Sequence, residues 1–184
     1  MPRRDTNFRF IAKNLDVSKI LKQVLDNPQD WKAVSEFENT AGDKDPYGFL
    51  PLKMAVVRDE SENVKNSELL RKTVLYDKYT EIHKFWKSYG IKKPARCAFF
   101  RLAVGGSVGS HIDDGTYYLK KDRYHLSLQG RYKYECNGEE HIIEPGTFFW
   151  FSNKLTHSAL NVGDVDRITF VFDVPHKKNQ PYHS

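Results

Sequence analysis

Cysteine is scarce in this chain, two residues in 184, and their placement excludes more than their number. Cys97 and Cys136 have neither C-x-x-C nor C-x-x-H spacing, which argues against a structural zinc site. They read as reduced, semi-buried thiols of an intracellular protein rather than as one disulfide. No apolar run approaches the length of a membrane span, and the opening MPRRDTNFRF lacks the apolar core of a secretory signal, so a soluble, cytoplasmic protein is expected. Internal repeats, low-complexity stretches and linker-like composition are also lacking, so one domain over residues 1–184 is expected. No aromatic-basic motif of the RNA-binding kind occurs. The net charge of +5 is dispersed over Arg3-Arg4, Lys92-Lys93, Lys120-Lys121 and Lys177-Lys178, which argues against a nucleic-acid partner.

Aromatic residues, by contrast, make up 14% of the chain and sit mostly inside strand-like runs. Residues 1–94 read as a mixed helical support region. Asp16 and Ser18 can cap a short helix through Leu25, with Ile20, Leu21, Val24 and Leu25 on one side and Pro28 as its stop. Residues 38–51 carry Gly, Asp and Pro at turn spacing and predict an exposed loop. A longer helix is predicted over 67–89, started by Ser67 and Glu68 and ended by Gly90, with His83 on it as a surface or packing residue. From residue 95 to 174 the pattern changes to short strands divided by Gly, Asn and Asp: ARCAFFRLAV, RYHLSLQG, RYKYEC, HIIEPG, TFFWFSN, HSALNV and RITFVFDV. Seven such runs after a helical half imply a mainly β fold, a sandwich or jelly-roll barrel backed by helices. Residues 175–184 read as a solvated tail in which His176 and His183 could bind metal adventitiously.

The chemistry is concentrated in four residues of the β region. His111 and Asp113 form an H-x-D pair after the glycine-rich segment Gly105-Gly106-Ser107-Val108-Gly109; on a strand, both would point to one side. His157 opens a later strand, and Arg167 follows ten residues on. Two imidazoles and one carboxylate are the donor set that holds non-haem Fe(II) while leaving three positions open, enough for a bidentate 2-oxo acid and dioxygen. In RITFVFDV, Ile168, Phe170 and Phe172 share one face, and Arg167, Thr169 and Val171 share the other. An inward Arg needs a desolvated anion, which the far carboxylate of the oxo acid would supply. Arg123 and His125, also two apart, suit carboxylate recognition. His125 as a further imidazole ligand is disfavoured because it would occupy a position the reaction needs.

The segment from Leu102 to Val174, about two-fifths of the chain, resembles the aspartyl/asparaginyl β-hydroxylase family of 2-oxoglutarate-dependent oxygenases and its free-amino-acid relatives, the proline hydroxylases. The matching stretches, in matching order, are L-A-V-G-G-S-V-G-S-H-I-D, R-Y-H-L-S-L, E-P-G-T-F-F-W-F, T-H-S-A-L-N and D-R-I-T-F-V-F-D-V. The resemblance implies a double-stranded β-helix, iron held by His111, Asp113 and His157, and Arg167 on the distal carboxylate of 2-oxoglutarate. It also implies His125 at the oxo-acid end and Arg123 at a substrate carboxylate. Asp113 sets the chain apart from members that act on epidermal-growth-factor-like domains, which lack that ligand. The expected activity is hydroxylation of an amino acid of Asp/Asn or Pro type, free or within a peptide, using Fe(II), 2-oxoglutarate and dioxygen. The alternatives are a cupin-like metalloenzyme that does not use 2-oxoglutarate and a non-catalytic binding module on the same scaffold.

Overall fold

The structure, a computed structural model, describes residues 6–32, 47–56, 58 and 61–176. In chain order its first elements are β1 (Phe8–Ala12), α1 (Ser18–Leu25), a 3₁₀ turn (Pro28–Lys32), β2 (Tyr47–Ala55), β3 (Leu70–Lys72) and α2 (Thr80–Ser88). There follow β4 (Cys97–Leu102), β5 (Ser107–His111), α3 (Thr116–Leu119), β6 (Lys121–Gln129), β7 (Tyr132–Cys136) and β8 (Glu139–Ile143). The chain closes with β9 (Phe148–Phe151), β10 (His157–Asn161) and β11 (Arg167–Pro175). A seven-stranded sheet runs in the order β1-β9-β6-β11-β4-β2-β3, and a four-stranded sheet in the order β5-β10-β7-β8. Every pairing is antiparallel. The fold is mainly β with flanking helices, a cupin-like jelly roll of the double-stranded β-helix type, as expected.

The two-residue period of β6, β9 and β11 divides the core in two. Outward rows, including Tyr124, Leu126, Phe148, Trp150, Ile168, Phe170 and Phe172, pack under the helices. There Ile20 and Val24 of α1 and Ile82 and Trp86 of α2 are buried, with the Trp86 ring 5.6 Å from Phe170. The other row of β11, Arg167, Thr169, Val171 and Asp173, and that of β6, Arg123, His125 and Ser127, turn toward the four-stranded sheet. A second apolar cluster of Phe8, Tyr132, Tyr134, Phe149 and Phe151 fills part of the space there. Thus Arg123, His125 and Arg167 lie on the side of the larger sheet opposite the helices, where only paired or ligand-binding groups are tolerated. Cys97 and Cys136 are both free and buried.

All seven strand-like runs of the β region form strands, and α1 ends where expected. Three expectations fail for identifiable reasons. Residues 47–51 belong to β2 rather than to a loop; the register of β2 on β4 shifts between Pro51 and Lys53, which is where a residue without an N–H can sit in a sheet. The helix expected over 67–89 is only Thr80–Ser88. The Ser67 hydroxyl donates to the Val56 carbonyl and accepts from the Leu69 N–H, while Thr73 does the same with Pro51 and Leu75. Such side-chain bonds to the backbone offer an alternative to the helix, and Leu70–Lys72 pairs with β2 instead. The first 94 residues therefore contribute three strands to the larger sheet as well as helices. In the supposed tail, Pro175 ends β11, and His176 Nδ1 lies 2.8 Å from Asp122 Oδ2. Residues 38–46 of the expected loop and 177–184 of the expected tail, with His183, lie outside the described residues. No helix among the described residues is long and apolar enough to cross a membrane.

Candidate active site

β5 and β10 are neighbours in the smaller sheet, and their register sets His111 directly opposite His157, with ring centroids 4.3 Å apart. Asp113 lies two residues beyond the end of β5, not on the strand, and is held there by its own N–H on the Asn153 carbonyl at 3.0 Å. Its Oδ1 stands 3.8 Å from His111 Nε2 and 3.9 Å from His157 Nε2, and the donor atoms of all three residues lie within 4.8 Å of one another. No other group of three or more His, Cys, Asp or Glu able to hold a metal occurs among the described residues.

Each donor is oriented from behind. His111 Nδ1 is 2.8 Å from the Gly109 carbonyl and His157 Nδ1 is 2.8 Å from that of Leu155. A carbonyl only accepts, so each Nδ1 carries the proton and each Nε2 turns a lone pair to the cluster. Burial holds His157 below its ordinary pKa, which favours the neutral ligand form. The second oxygen of Asp113 accepts from Arg123 Nη1 at 2.9 Å and from Asn153 Nδ2 at 3.1 Å, leaving Oδ1 to the cluster. One side of the centre opens outward: the His111 side chain is 44% exposed, whereas His157 is 3% exposed.

Arg123 is not placed as expected. Its Nε and Nη2 donate to the two oxygens of Asp173 at 2.8 and 3.1 Å, and its Nη1 to Asp113. Burial alone would favour losing its proton, but Asp113 and Asp173 outweigh it and hold the guanidinium firmly charged. A cation already facing two carboxylates has little left for the carboxylate of a substrate, so this arginine braces Asp113 of the His-Asp-His cluster.

Arg167 is the opposite case. It is 5% exposed, its Nε donates to Thr169 Oγ1 at 2.8 Å, and its guanidinium lies 4.3 Å over the Tyr132 ring. It forms no ion pair with a carboxylate among the described residues. Around it His125 Nδ1, Ser127 Oγ and Tyr132 Oη are buried with no hydrogen-bond partner. His125 is also packed among Tyr134, Phe149 and Phe151, and burial, then the Arg167 charge, push its pKa well below the ordinary value. Four polar groups of this kind fit an anionic ligand, and the His-Asp-His donors fit a divalent ion.

Comparison with protein families matches residues 85–177, half of the chain, to aspartyl/asparaginyl beta-hydroxylase. The chain belongs to the aspartyl/asparaginyl beta-hydroxylase family. No curated protein matches the chain. Among solved structures, a predicted oxalate decarboxylase from Thermotoga maritima is 22% identical over 49% of this chain and 74% of its own, with a TM-score of 0.39. The Cnp3 cupin domain of Schizosaccharomyces pombe is 11% identical over 44% of this chain and 56% of its own, also at 0.39. A cupin 2 conserved barrel domain protein from Salinispora arenicola is 15% identical over 42% and 60%, at 0.35.

Within this family member, sequence reasoning missed several residues at the site. Asp173 had a usable signal, since it continues the inward row Arg167, Thr169, Val171. Asn153 had none, because it acts from a loop and partly through its backbone. Tyr117 is fully buried and donates to Asp173 at 3.1 Å.

His125 makes a pH prediction. Its folded pKa is depressed, so the unfolded chain takes up the proton first, and the stability due to the neutral ring is complete above about pH 6.5 and lost as pH falls below it. Thermal melting at pH 7.5 and 5.5 is expected to show a smaller acid-induced drop for His125→Leu than for wild type. Equal drops would remove His125 as the cause.

Proposed function

We propose that this protein is an Fe(II)- and 2-oxoglutarate-dependent hydroxylase acting on an amino acid, free or within a peptide. The observation that carries the reading is Arg167, a buried cation on the inward row of β11 without a carboxylate partner among the described residues, on the same concave side as the His-Asp-His cluster. An apolar residue there would cost less, so a charge in this position implies an anion that arrives with a ligand.

His111, Asp113 and His157 would hold the iron, and Arg167 the distal carboxylate of the oxo acid. Ser127, Tyr132 and His125 offer the neighbouring buried polar atoms to the same ligand. Bound iron with oxo acid and dioxygen supplies an oxidant for an unactivated C–H bond, with oxidative decarboxylation of the oxo acid to succinate. The protein contributes geometry and water exclusion. Gly109 and Leu155 fix the imidazole tautomers, Arg123 and Asn153 hold the second oxygen of Asp113, and the rings of Phe149, Phe151 and Tyr134 dry the space around His125. No side-chain general base is needed.

The test is conversion of 2-oxoglutarate to succinate by protein reconstituted with Fe(II) in air. Wild type is expected to turn over slowly without substrate and faster with it, and His157→Ala to give no activity above free iron. Succinate formation that is equal in the two proteins would sink the proposal. Iron bound by wild type without any succinate would favour a metalloenzyme that uses no oxo acid.

A further inference from the structure

A cavity of about 370 Å³ opens beside the metal cluster, with His111 and Asp113 in its wall, and its lining specifies a substrate class. Its floor crosses three neighbouring strands of the larger sheet. Phe49 of β2 pairs in register with Phe100 of β4, their rings 5.2 Å apart, and Ala98 of β4 pairs with Val171 of β11. Met54 adds to this apolar floor. Two residues before Ala98, the same alternation brings Arg96 to the cavity, where Tyr118 also lines it.

Among the described residues three cations line this cavity, and two are neutralised within the protein. Arg123 faces Asp113 and Asp173, and Lys65 pairs with Asp114 at 2.7 Å. Arg96 is different. It is 6% exposed and forms no ion pair with a carboxylate among the described residues. Its Nη2 donates to the carbonyls of Val64 and Ser67 at 2.6 and 3.0 Å, and its Nη1 to Tyr118 Oη at 3.3 Å. The guanidinium lies 3.7 Å over the Tyr117 ring, and its Nε–H is buried with no acceptor. Carbonyl dipoles and a ring face orient a guanidinium, but they leave its net charge uncompensated.

We infer that Arg96, assisted by the Tyr118 hydroxyl, receives the carboxylate of a substrate whose remaining body is apolar. This rests on the metal-centre reading above and assigns to Arg96 the role that the sequence suggested for Arg123. The volume lies near the lower end of the ~300–1,000 Å³ typical of ligand cavities, which suits a single amino-acid unit. An acidic side chain in addition to the first carboxylate would meet Phe49, Phe100 and Val171, with no free cation among the described residues of the lining. The class is therefore an apolar amino acid or similar monocarboxylate, with aspartate disfavoured.

Calorimetry without oxygen tests this on wild type loaded with Fe(II) and 2-oxoglutarate and on the metal-free protein. The probes are L-leucine, L-methionine, L-phenylalanine, their carboxamides, and L-aspartate. At least one apolar acid is expected to bind, with its carboxamide and aspartate at least tenfold weaker. Arg96→Gln should erase the preference for acid over amide, and Tyr118→Phe should weaken the acid by roughly two- to tenfold, one hydrogen bond's worth. Amides that bind as well as acids, a preference for aspartate, no acid bound at all, or a preference retained in Arg96→Gln would each overturn the assignment. The acid-to-amide comparison on wild type needs no variant, so it holds even if Arg96→Gln releases the segment around Val64 and Ser67 and fails to fold. The iron titration of the same sample reads the metal centre separately, so the failure of one reading is distinguishable from failure of the other.

Discussion

Arg123→Met is expected to lower the stability of the metal-free protein by about 3–5 kcal/mol and to weaken its metal affinity by roughly 10–100-fold. The first number is large because the substitution leaves two carboxylates without their shared cation. Asp173 is 1% and Asp113 8% exposed at the side chain, so water cannot replace what the guanidinium supplies. The second reflects orientation: Asp113 keeps its bond from Asn153 but loses the charged donor that holds its second oxygen away from the cluster. Saturating Fe(II) should recover part of the stability deficit, because the ion takes over the charge of Asp113. Denaturant unfolding with and without metal measures both effects. A loss below about 1 kcal/mol in the metal-free protein would mean that the cluster is not braced in this way.

Arg167→Met should behave in the reverse manner. Removing a buried cation with no anionic partner among the described residues relieves a desolvation cost, against the loss of one bond to Thr169 and one ring contact with Tyr132. The metal-free variant is therefore expected to melt no lower than wild type. Its affinity for 2-oxoglutarate should fall by about 10²–10⁴-fold, two charge-assisted hydrogen bonds at roughly 1.5–3 kcal/mol each. Thermal melting and equilibrium binding of the oxo acid to the metal-loaded proteins read the two quantities independently. A variant that melts well below wild type and binds the oxo acid within threefold of it would make Arg167 a structural residue.

These two arginines show what the sequence can and cannot carry. Alternation in β6 and β11 is enough to place Arg123, His125 and Arg167 on one side of the sheet, because a strand presents its faces by parity alone. The partner of each arginine depends on what faces it across space. Asp173 shares the β11 row with Arg167 yet lies next to Arg123 on β6 through the cross-strand register. The His-x-Asp…His pattern was legible because its two histidines sit at the ends of two strands that pair with one another, with Asp113 two residues beyond the first. The groups behind them, Gly109, Leu155 and Asn153, act through backbone atoms or from loops and leave no pattern in residue type. Arg96 was missed inside a run read only as β-like, although its spacing from Ala98 and Phe100 places all three on the cavity face.

The fold was clearer where burial enforces a period. The seven strand-like runs after residue 95 all carry apolar residues on at least one face. Strand β2 was hidden because Gly48 and Pro51 look like turn residues, and the structure accommodates the proline at a register shift. The over-long helix at 67–89 arose because Ser67 and Thr73 can cap a helix or bond to neighbouring backbone. Only the pairing of Leu70–Lys72 with β2 decides between the two.

The most direct test of the central claim is an oxygen-free titration of the metal-free protein with Fe(II) and then with 2-oxoglutarate, followed in the visible spectrum. The account predicts a charge-transfer band at one iron and one oxo acid per chain, absent in His157→Ala and requiring far more oxo acid in Arg167→Met. Iron bound at one per chain with no band at any 2-oxoglutarate concentration would contradict it.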